Sequence, residues 1–321
     1  MRSYPGLQSI RGLAAVTVLL HHASYFYQLS PVTRLSLDAV LNAHAAVILF
    51  FVLSGYVLAN SAMRTGSSAA FYVKRVFRIM PGLWVATALC VAYMLALDHP
   101  APGAVPRWRL DMIGVPRWTP QLLVLSMLGF PYVLRPAYTI VVEIAGSILI
   151  PVLTFLFRTM PLSGPLCILA LTVLSYWFYE VSNSLKYLLF MVHFAFGVQA
   201  AELLRLHPEL KVGRWIAPTC LAGLVFSRLL VMMVYTGSPQ ELDYEYDFPT
   251  SGLLEGLFAT GIIIAVIANG ETGAVLRHPA LVWLGDRSYG IYLLHLPALF
   301  FCSKLIDARE IDDIWLRLVL H

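Results

Sequence analysis

Three ionisable side chains stand in the first apolar stretch of the chain, residues 7–23, and they are the first candidates for chemistry. Arg11 is followed eleven positions later by His22, which has His21 beside it. On an α-helix, eleven residues rise about 16 Å and make about three full turns, so Arg11 and His22 share one face. With Arg11 at the cytoplasmic boundary, His22 lies near the midplane of a bilayer core about 30 Å thick. An ionisable residue at that depth marks a functional site, or else a histidine hydrogen-bonded inside a helix bundle.

Composition indicates a membrane protein. Of the 321 residues, 59% are hydrophobic and 12% are charged, and the mean hydropathy is +0.74. That length holds about eight to ten membrane-spanning helices. The net charge of +4 is too small to favour a nucleic-acid partner. The four cysteines stand singly in apolar segments without the spacing of metal ligands, so we expect no bound metal.

The apolar segments predict an all-α polytopic membrane protein, a bundle of about nine or ten transmembrane helices in one domain over residues 1–321. Residues 120–134 are apolar but too short to cross, so we expect a re-entrant or interfacial segment there. Residues 314–321 look like the first turns of a last, incomplete span. Pro81 is expected in the first turn of the third span. The nine predicted spans are 8–29, 43–62, 79–97, 137–157, 165–181, 185–205, 215–235, 251–269 and 280–302.

Basic residues predict the orientation. With the N-terminus in the cytoplasm, the inner segments hold twelve of the 22 Lys and Arg residues and the outer segments hold eight. Positively charged loops stay on the cytoplasmic side, so we predict a multi-pass protein of the cell inner (plasma) membrane with its N-terminus inside. The acidic loop at residues 240–247 is then outside.

Five short motifs follow one another along the chain. They are R-x10-H at Arg11 and His22, FFVLSGY at 50–56, RVFRIMP at 75–81, AYTIVVE at 137–143 and LGDRSYGIYLLH at 284–295. Each is weak alone, but the ordered set spans residues 7–296 and resembles the signature of the acyltransferase family 3 integral membrane proteins. The first helix is similar to that of members that O-acetylate exopolysaccharide or O-antigen.

Three positions depart from that family pattern. Ile48 stands where an aspartate is often found, Tyr138 replaces a tryptophan, and Gly146 and Ser147 replace an aromatic pair. These departures bear on the identity of the acceptor more than on the acyl-transfer chemistry.

The resemblance implies a trans-bilayer O-acyltransferase. Such an enzyme moves an acyl group, here expected to be acetyl, from cytoplasmic acyl-CoA to a hydroxyl of an extracytoplasmic glycan or lipid-linked sugar. The implied partners are the acyl-CoA donor, the saccharide acceptor and membrane lipids. No nucleic acid is implied.

Within that reading His22 is the candidate catalytic base, with Arg11 on the same helix face. A neutral imidazole can take the proton of a hydroxyl as the hydroxyl attacks the thioester carbonyl. An acyl-histidine intermediate is the alternative. His21 points about 100° away and is the weaker candidate.

Arg75 and Arg78 are i, i+3 neighbours on one helical face. Arginine grips phosphates bidentately, so with the resemblance we expect this pair to bind the phosphates of CoA. Without the resemblance, they are ordinary positive charges of the cytoplasmic side.

Glu143 is the third catalytic candidate, predicted about 9 Å below the outer end of its span. There it faces the acceptor, binding sugar hydroxyls or orienting a histidine. The alternative is a salt bridge with Arg135 or Arg228, because an unpaired charge at that depth is costly.

The last motif adds Ser288, Tyr289 and His295 to the predicted donor-binding residues. His295 lies about 15 Å into its span, at the depth of His22, so the two histidines can converge. A structural role remains the alternative for His295, and packing is the alternative for Ser288 and Tyr289.

Two rival functions use the same residues. Intramembrane His, Arg and Glu also mark the pathways of secondary transporters. An internal repeat would favour that class, and the sequence shows none. A non-enzymatic export component for a sugar or polysaccharide is the second rival, in which these residues only pack.

Overall fold

The computed structural model describes residues 4–27, 29–65, 67–96, 119–160, 162–181, 190–235, 249–269 and 275–308. Within these ranges the regular structure is helical, and the short 3-10 helices Arg135–Ala137 and Val275–Arg277 join longer elements. The α-helices are α1 (Pro5–Ser24), α2 (Pro31–Val40), α3 (Ala43–Thr65), α4 (Ser68–Ala96), α5 (Pro120–Met127), α6 (Tyr138–Thr159), α7 (Ser163–Val181), α8 (Met191–Leu206), α9 (Ile216–Tyr235), α10 (Pro249–Ala268) and α11 (Pro279–Ala308).

The predicted class, an all-α polytopic membrane protein, is confirmed. Each of the nine predicted spans overlaps a helix of at least 16 residues among the described residues: α1, α3, α4 and α6 to α11. Four helical stretches are by themselves long and apolar enough to cross a membrane: Val32–Thr65, Ser68–Tyr93, Tyr138–Thr159 and Thr250–Ala268. The acidic loop at 240–247 and the segment 314–321 lie outside the described residues.

The sequence placed the start of the third span too late. Helix α4 begins at Ser68, so Pro81 lies inside the helix rather than in its first turn. Phe71, Arg75 and Ile79, spaced four residues apart, are all buried. They form one buried stripe along the helix, so the helical pattern extends through the segment that holds Arg75 and Arg78. A proline is tolerated inside such a helix because neighbouring helices satisfy the freed backbone groups.

Helix α3 is the centre of the bundle and packs against α1, α6, α8 and α10. Ile48, Val52 and Ala59 have no exposed surface, as expected of a helix that is apolar on every side. Against α8, Gly55 and Gly197 allow close contact of the two backbones. A Cβ on either glycine would overlap the backbone of the other helix.

Helices α1 and α11 run parallel. Gly12 packs on Gly285, and ten residues further along each helix His22 meets His295. A Cβ on Gly12 or Gly285 would overlap the partner backbone, so the two helices touch along their length. Two spans point the same way when an odd number of spans lies between them, which agrees with the seven predicted between α1 and α11.

Helices α9 and α10 run antiparallel, as consecutive spans must. The Val212 N–H donates to the Asn269 side chain at one end, over 3.1 Å. Ser227 donates to Glu255 further along α9, also over 3.1 Å. The order of contacts therefore reverses along the second helix.

Candidate active site

A cavity lies between α1, α3, α6 and α11, and we call it the central cavity. It collects four residues that sequence analysis proposed for the site from three separate motifs. They are Arg11, Glu143, Ser288 and Tyr289. Ser54, from the second-helix motif, and Tyr292 also line it. Motifs more than 250 residues apart in sequence therefore share one cavity.

Two contacts of α11 position its side of the cavity. Because Gly285 allows contact with the Gln8 carbonyl of α1, the following turn brings Ser288 beside Arg11. The Tyr289 hydroxyl donates to the Ile79 carbonyl over 2.7 Å and so ties α11 to α4. Ser288 is 1% exposed, which fits both a packing and a cavity-lining role.

Glu143 forms an ion pair with Arg75, whose Nη2 lies 2.6 Å from the carboxylate Oε1. The Arg75 Nε donates to the Ser147 hydroxyl over 3.1 Å. Glu143 therefore forms the salt bridge of the alternative interpretation, and its partner among the described contacts is Arg75. Arg75 is buried, and the Glu143 carboxylate balances its charge. Its neighbour Arg78 differs in both respects.

The predicted shallow position of Glu143 was also wrong. Residues Val133 and Leu134, which precede α6, are each 2% exposed, so the segment after α5 folds back into the bundle. Trp84, in the middle of α4, donates to the Met127 carbonyl over 3.0 Å at the end of α5. Helix α6 therefore begins opposite the middle of α4, and Glu143 lies deep beside the arginines. A re-entrant segment in the stretch 120–134 agrees with this path.

Arg11 and Arg78 differ from Arg75. Arg11 lines the central cavity and is half-buried, and Arg78 is exposed. Neither forms an ion pair with another described residue. Both act electrostatically on Glu143, and Asp286 acts on Arg11. Among the described residues, this region therefore holds three guanidinium groups and two carboxylates. Its net charge of one positive unit favours the binding of an anion.

The two predicted histidines meet. The Nδ1 of His22 lies 2.8 Å from the Nε2 of His295, and the rings are stacked with centroids 4.9 Å apart. The Nδ1 of His295 lies 2.6 Å from the Tyr292 carbonyl. The expected convergence at one depth is therefore what the structure shows.

This geometry assigns the protons of the neutral pair. A carbonyl oxygen only accepts, so the Nδ1 of His295 donates to Tyr292, and its Nε2 carries the lone pair. That Nε2 must then accept from the Nδ1 of His22. The Nε2 of His22 keeps its lone pair and is free to take a proton.

His21 belongs to a different contact. Its Nε2 lies 3.2 Å from the Asp38 carboxylate on α2, a short helix outside the nine predicted spans. The N-cap signal of that helix was present, since Ser30 accepts from the Thr33 N–H over 3.2 Å. Sequence analysis also missed Tyr292, which needed the fold to place its carbonyl. Among the described residues no cluster of three His, Cys, Asp or Glu could hold a metal ion.

Comparison with known proteins shows the family. The family model described as the acyltransferase domain, acyltransferase family 3, matches residues 4–320, so the chain belongs to that family. It is a membrane-bound acyltransferase. Similar proteins include the acyltransferase MdmB of Streptomyces mycarofaciens, which is 24% identical over 95% of this chain and 81% of its own length.

The peptidoglycan O-acetyltransferase OatA of Listeria monocytogenes is 21% identical over 97% of this chain. That match covers 51% of OatA, so the chain spans about half the length of this relative. No solved structure matches the chain.

Proposed function

We propose that this protein is a trans-bilayer O-acyltransferase. It moves an acyl group, acetyl by preference, from cytoplasmic acyl-CoA to a hydroxyl of an extracytoplasmic glycan or lipid-linked sugar. It acts as one membrane domain in the cell inner membrane, with its N-terminus in the cytoplasm. The observation that carries the proposal is the oriented His22–His295 pair on the same two helices that bring Arg11 and Ser288 to the central cavity.

In the proposed reaction His22 is the general base. Its Nε2 takes the proton of the acceptor hydroxyl while the oxygen attacks the thioester carbonyl carbon. The new C–O bond forms, the C–S bond breaks, and the CoA thiolate recovers the proton from His22. No net proton is released, and the base returns to its starting form. Because His22 has one nitrogen with a free lone pair, it must take the proton of the hydroxyl before it can give a proton to the thiolate.

The three arginines have different roles in this proposal. Arg11 and Arg78 have no carboxylate of a described residue in direct contact, so the diphosphate of the donor can accept hydrogen bonds from them. Arg75 holds Glu143 in place instead. Ser288 and Tyr289 line the cavity through which the pantetheine arm passes. The name of OatA, a peptidoglycan O-acetyltransferase, supports a glycan hydroxyl as the acceptor.

The test is transfer of label. Purified protein in lipid nanodiscs receives acetyl-CoA carrying a radiolabelled acetyl group, together with a short peptidoglycan or exopolysaccharide acceptor. We expect label in the acceptor and free CoA in equal amount. Saccharide movement across proteoliposomes without transfer of label would favour the transporter instead, and neither activity would favour the export component.

A further inference from the structure

A second cavity opens where α3 and α6 end and α4 begins. We call it the rim cavity. It shares no lining residue with the central cavity. In the proposed orientation it faces the cytoplasm, because α4 follows the second span. The lining residues that matter here are Ser67, Ser68, Thr154, Phe155, Arg158 and Thr159.

The rim cavity presents hydrogen-bond donors and no carboxylate among its lining residues. Arg158 is exposed and forms no ion pair with a described residue. The Ser68 and Ala69 N–H groups lie at the start of the 29-residue helix α4, where helix ends favour anions, whereas the next N–H, of Ala70, donates to the Ser67 hydroxyl over 3.4 Å. Thr154 is 7% exposed, and its buried hydroxyl has no hydrogen-bond partner among the described residues. Guanidinium, amide and hydroxyl donors together suit a phosphate.

The position of the rim cavity relates it to the central cavity. Thr154 and Arg158 follow Glu143 by 11 and 15 residues on α6, which places them about 17 to 22 Å further along the helix. Between the two cavities, the Tyr72 hydroxyl of α4 donates to the Ile148 carbonyl of α6 over 3.1 Å. A long donor whose pantetheine arm passes through the central cavity therefore has its opposite end at the rim.

The lining of the rim cavity also contains an exposed aromatic side chain. Phe155 is 64% exposed and stands beside Arg158 on the same helix. A flat apolar ring next to phosphate-binding donors suits a nucleotide base, since every base has a face that stacks on an aromatic ring.

We propose that the rim cavity binds the nucleotide end of the acyl-CoA donor. Arg158 and the first turn of α4 hold its ribose 3′-phosphate, and Phe155 packs against the adenine. This inference rests on the proposed function. The phosphate of an anionic lipid offers the same chemistry at a membrane surface, so the experiment separates the two sources.

The experiment compares two donors. Acetyl-CoA carries the nucleotide, whereas S-acetylpantetheine has the same thioester and arm without it. We expect Arg158→Ala to raise the KM for acetyl-CoA about ten- to a hundredfold, the effect of losing a charge-assisted phosphate contact. The KM for S-acetylpantetheine should stay within about twofold, because that donor never reaches Arg158. Adenosine 3′,5′-bisphosphate should compete with acetyl-CoA in the wild type and lose that effect in the variant.

Controls keep the outcomes distinct. Lys211→Ala removes an exposed cation outside the rim cavity and should change neither KM. Arg158→Lys keeps the charge and should recover part of the affinity. Equal losses with both donors, or no loss with either, overturn the proposal. So does an Arg158→Ala effect that appears only in nanodiscs containing phosphatidylglycerol, since the ligand is then a lipid headgroup. Wild-type protein that transfers acetyl from neither donor refutes the proposed function itself.

Discussion

The contact between His295 and His22 gives the sharpest prediction about catalysis. Replacing His295 with leucine removes the acceptor that lies 2.8 Å from the His22 Nδ1. The His22 N–H is then buried without a partner, and the imidazole can adopt the tautomer whose Nε2 carries the proton. That tautomer cannot act as the base at Nε2.

The size of the effect follows from the hydrogen bond. Leaving a buried donor unsatisfied costs about 1–3 kcal/mol. If that loss falls on the transition state alone, kcat decreases by about fivefold to about 150-fold. The KM for acyl-CoA should not change, because His295 is joined to His22 and to the Tyr292 carbonyl rather than to the donor.

The assay is steady-state transfer of labelled acetyl by His295→Leu, with His295→Gln as the matched variant. Glutamine offers a carbonyl oxygen that can accept from His22, so His295→Gln should recover part of kcat. A raised KM for acyl-CoA with unchanged kcat would show that His295 binds the donor, as the sequence suggested. Equal kcat losses for leucine and glutamine would refute the hydrogen-bond argument.

Two further predictions concern the scaffold. Glu143→Leu leaves Arg75 without its partner and should cost about 3 kcal/mol of stability, the low end for a buried pair because 21% of the Glu143 side chain is exposed. Thermal unfolding in detergent should show Arg75→Leu combined with Glu143→Leu to be less destabilised than Glu143→Leu alone, and additive losses would contradict the pairing. Gly285→Ala should separate α1 from α11 and abolish transfer, because its Cβ overlaps the Gln8 backbone. Gly290→Ala on the same helix is the control, with nothing within 4 Å of its Cβ, and equal losses from the two substitutions would contradict the packing.

The sequence predicted the helices and the meeting of the two histidines for a physical reason. Hydrophobic length identifies spans, and the rise per residue gives depth along a straight helix. Both rules apply directly to α1 and α11, because each is one continuous helix. His22 and His295 could therefore be placed at one level before any contact was known.

The same rules gave the wrong depth for Glu143. Depth counted from the end of a helix assumes that the helix starts at the membrane surface. Helix α6 instead starts inside the bundle, because the segment containing Val133 and Leu134 is buried before it. Glu143 can pair with Arg75 only because α6 starts inside the bundle. The residue pattern within α6 does not indicate where the helix starts.

The sequence also did not predict which buried polar groups on distant helices contact each other. His44 lies in an apolar segment of the sequence, which does not indicate its partner. In the structure it pairs with the fully buried Glu255 of α10, which also accepts from Asn42 over 3.1 Å. A buried carboxylate needs such partners, but only the fold identifies them.

The central claim is that His22 is the base of an acyl transfer, and substitution of the two adjacent histidines tests it most directly. His22→Ala and His21→Ala are purified in nanodiscs and compared with wild type for transfer of labelled acetyl from acetyl-CoA to the saccharide acceptor. Loss of a general base lowers the rate about a hundredfold or more, so His22→Ala should be nearly inactive while remaining folded in the membrane. His21→Ala should retain most activity, because His21 contacts Asp38 rather than His295. A folded His22→Ala protein that keeps more than about a tenth of wild-type turnover would contradict the account.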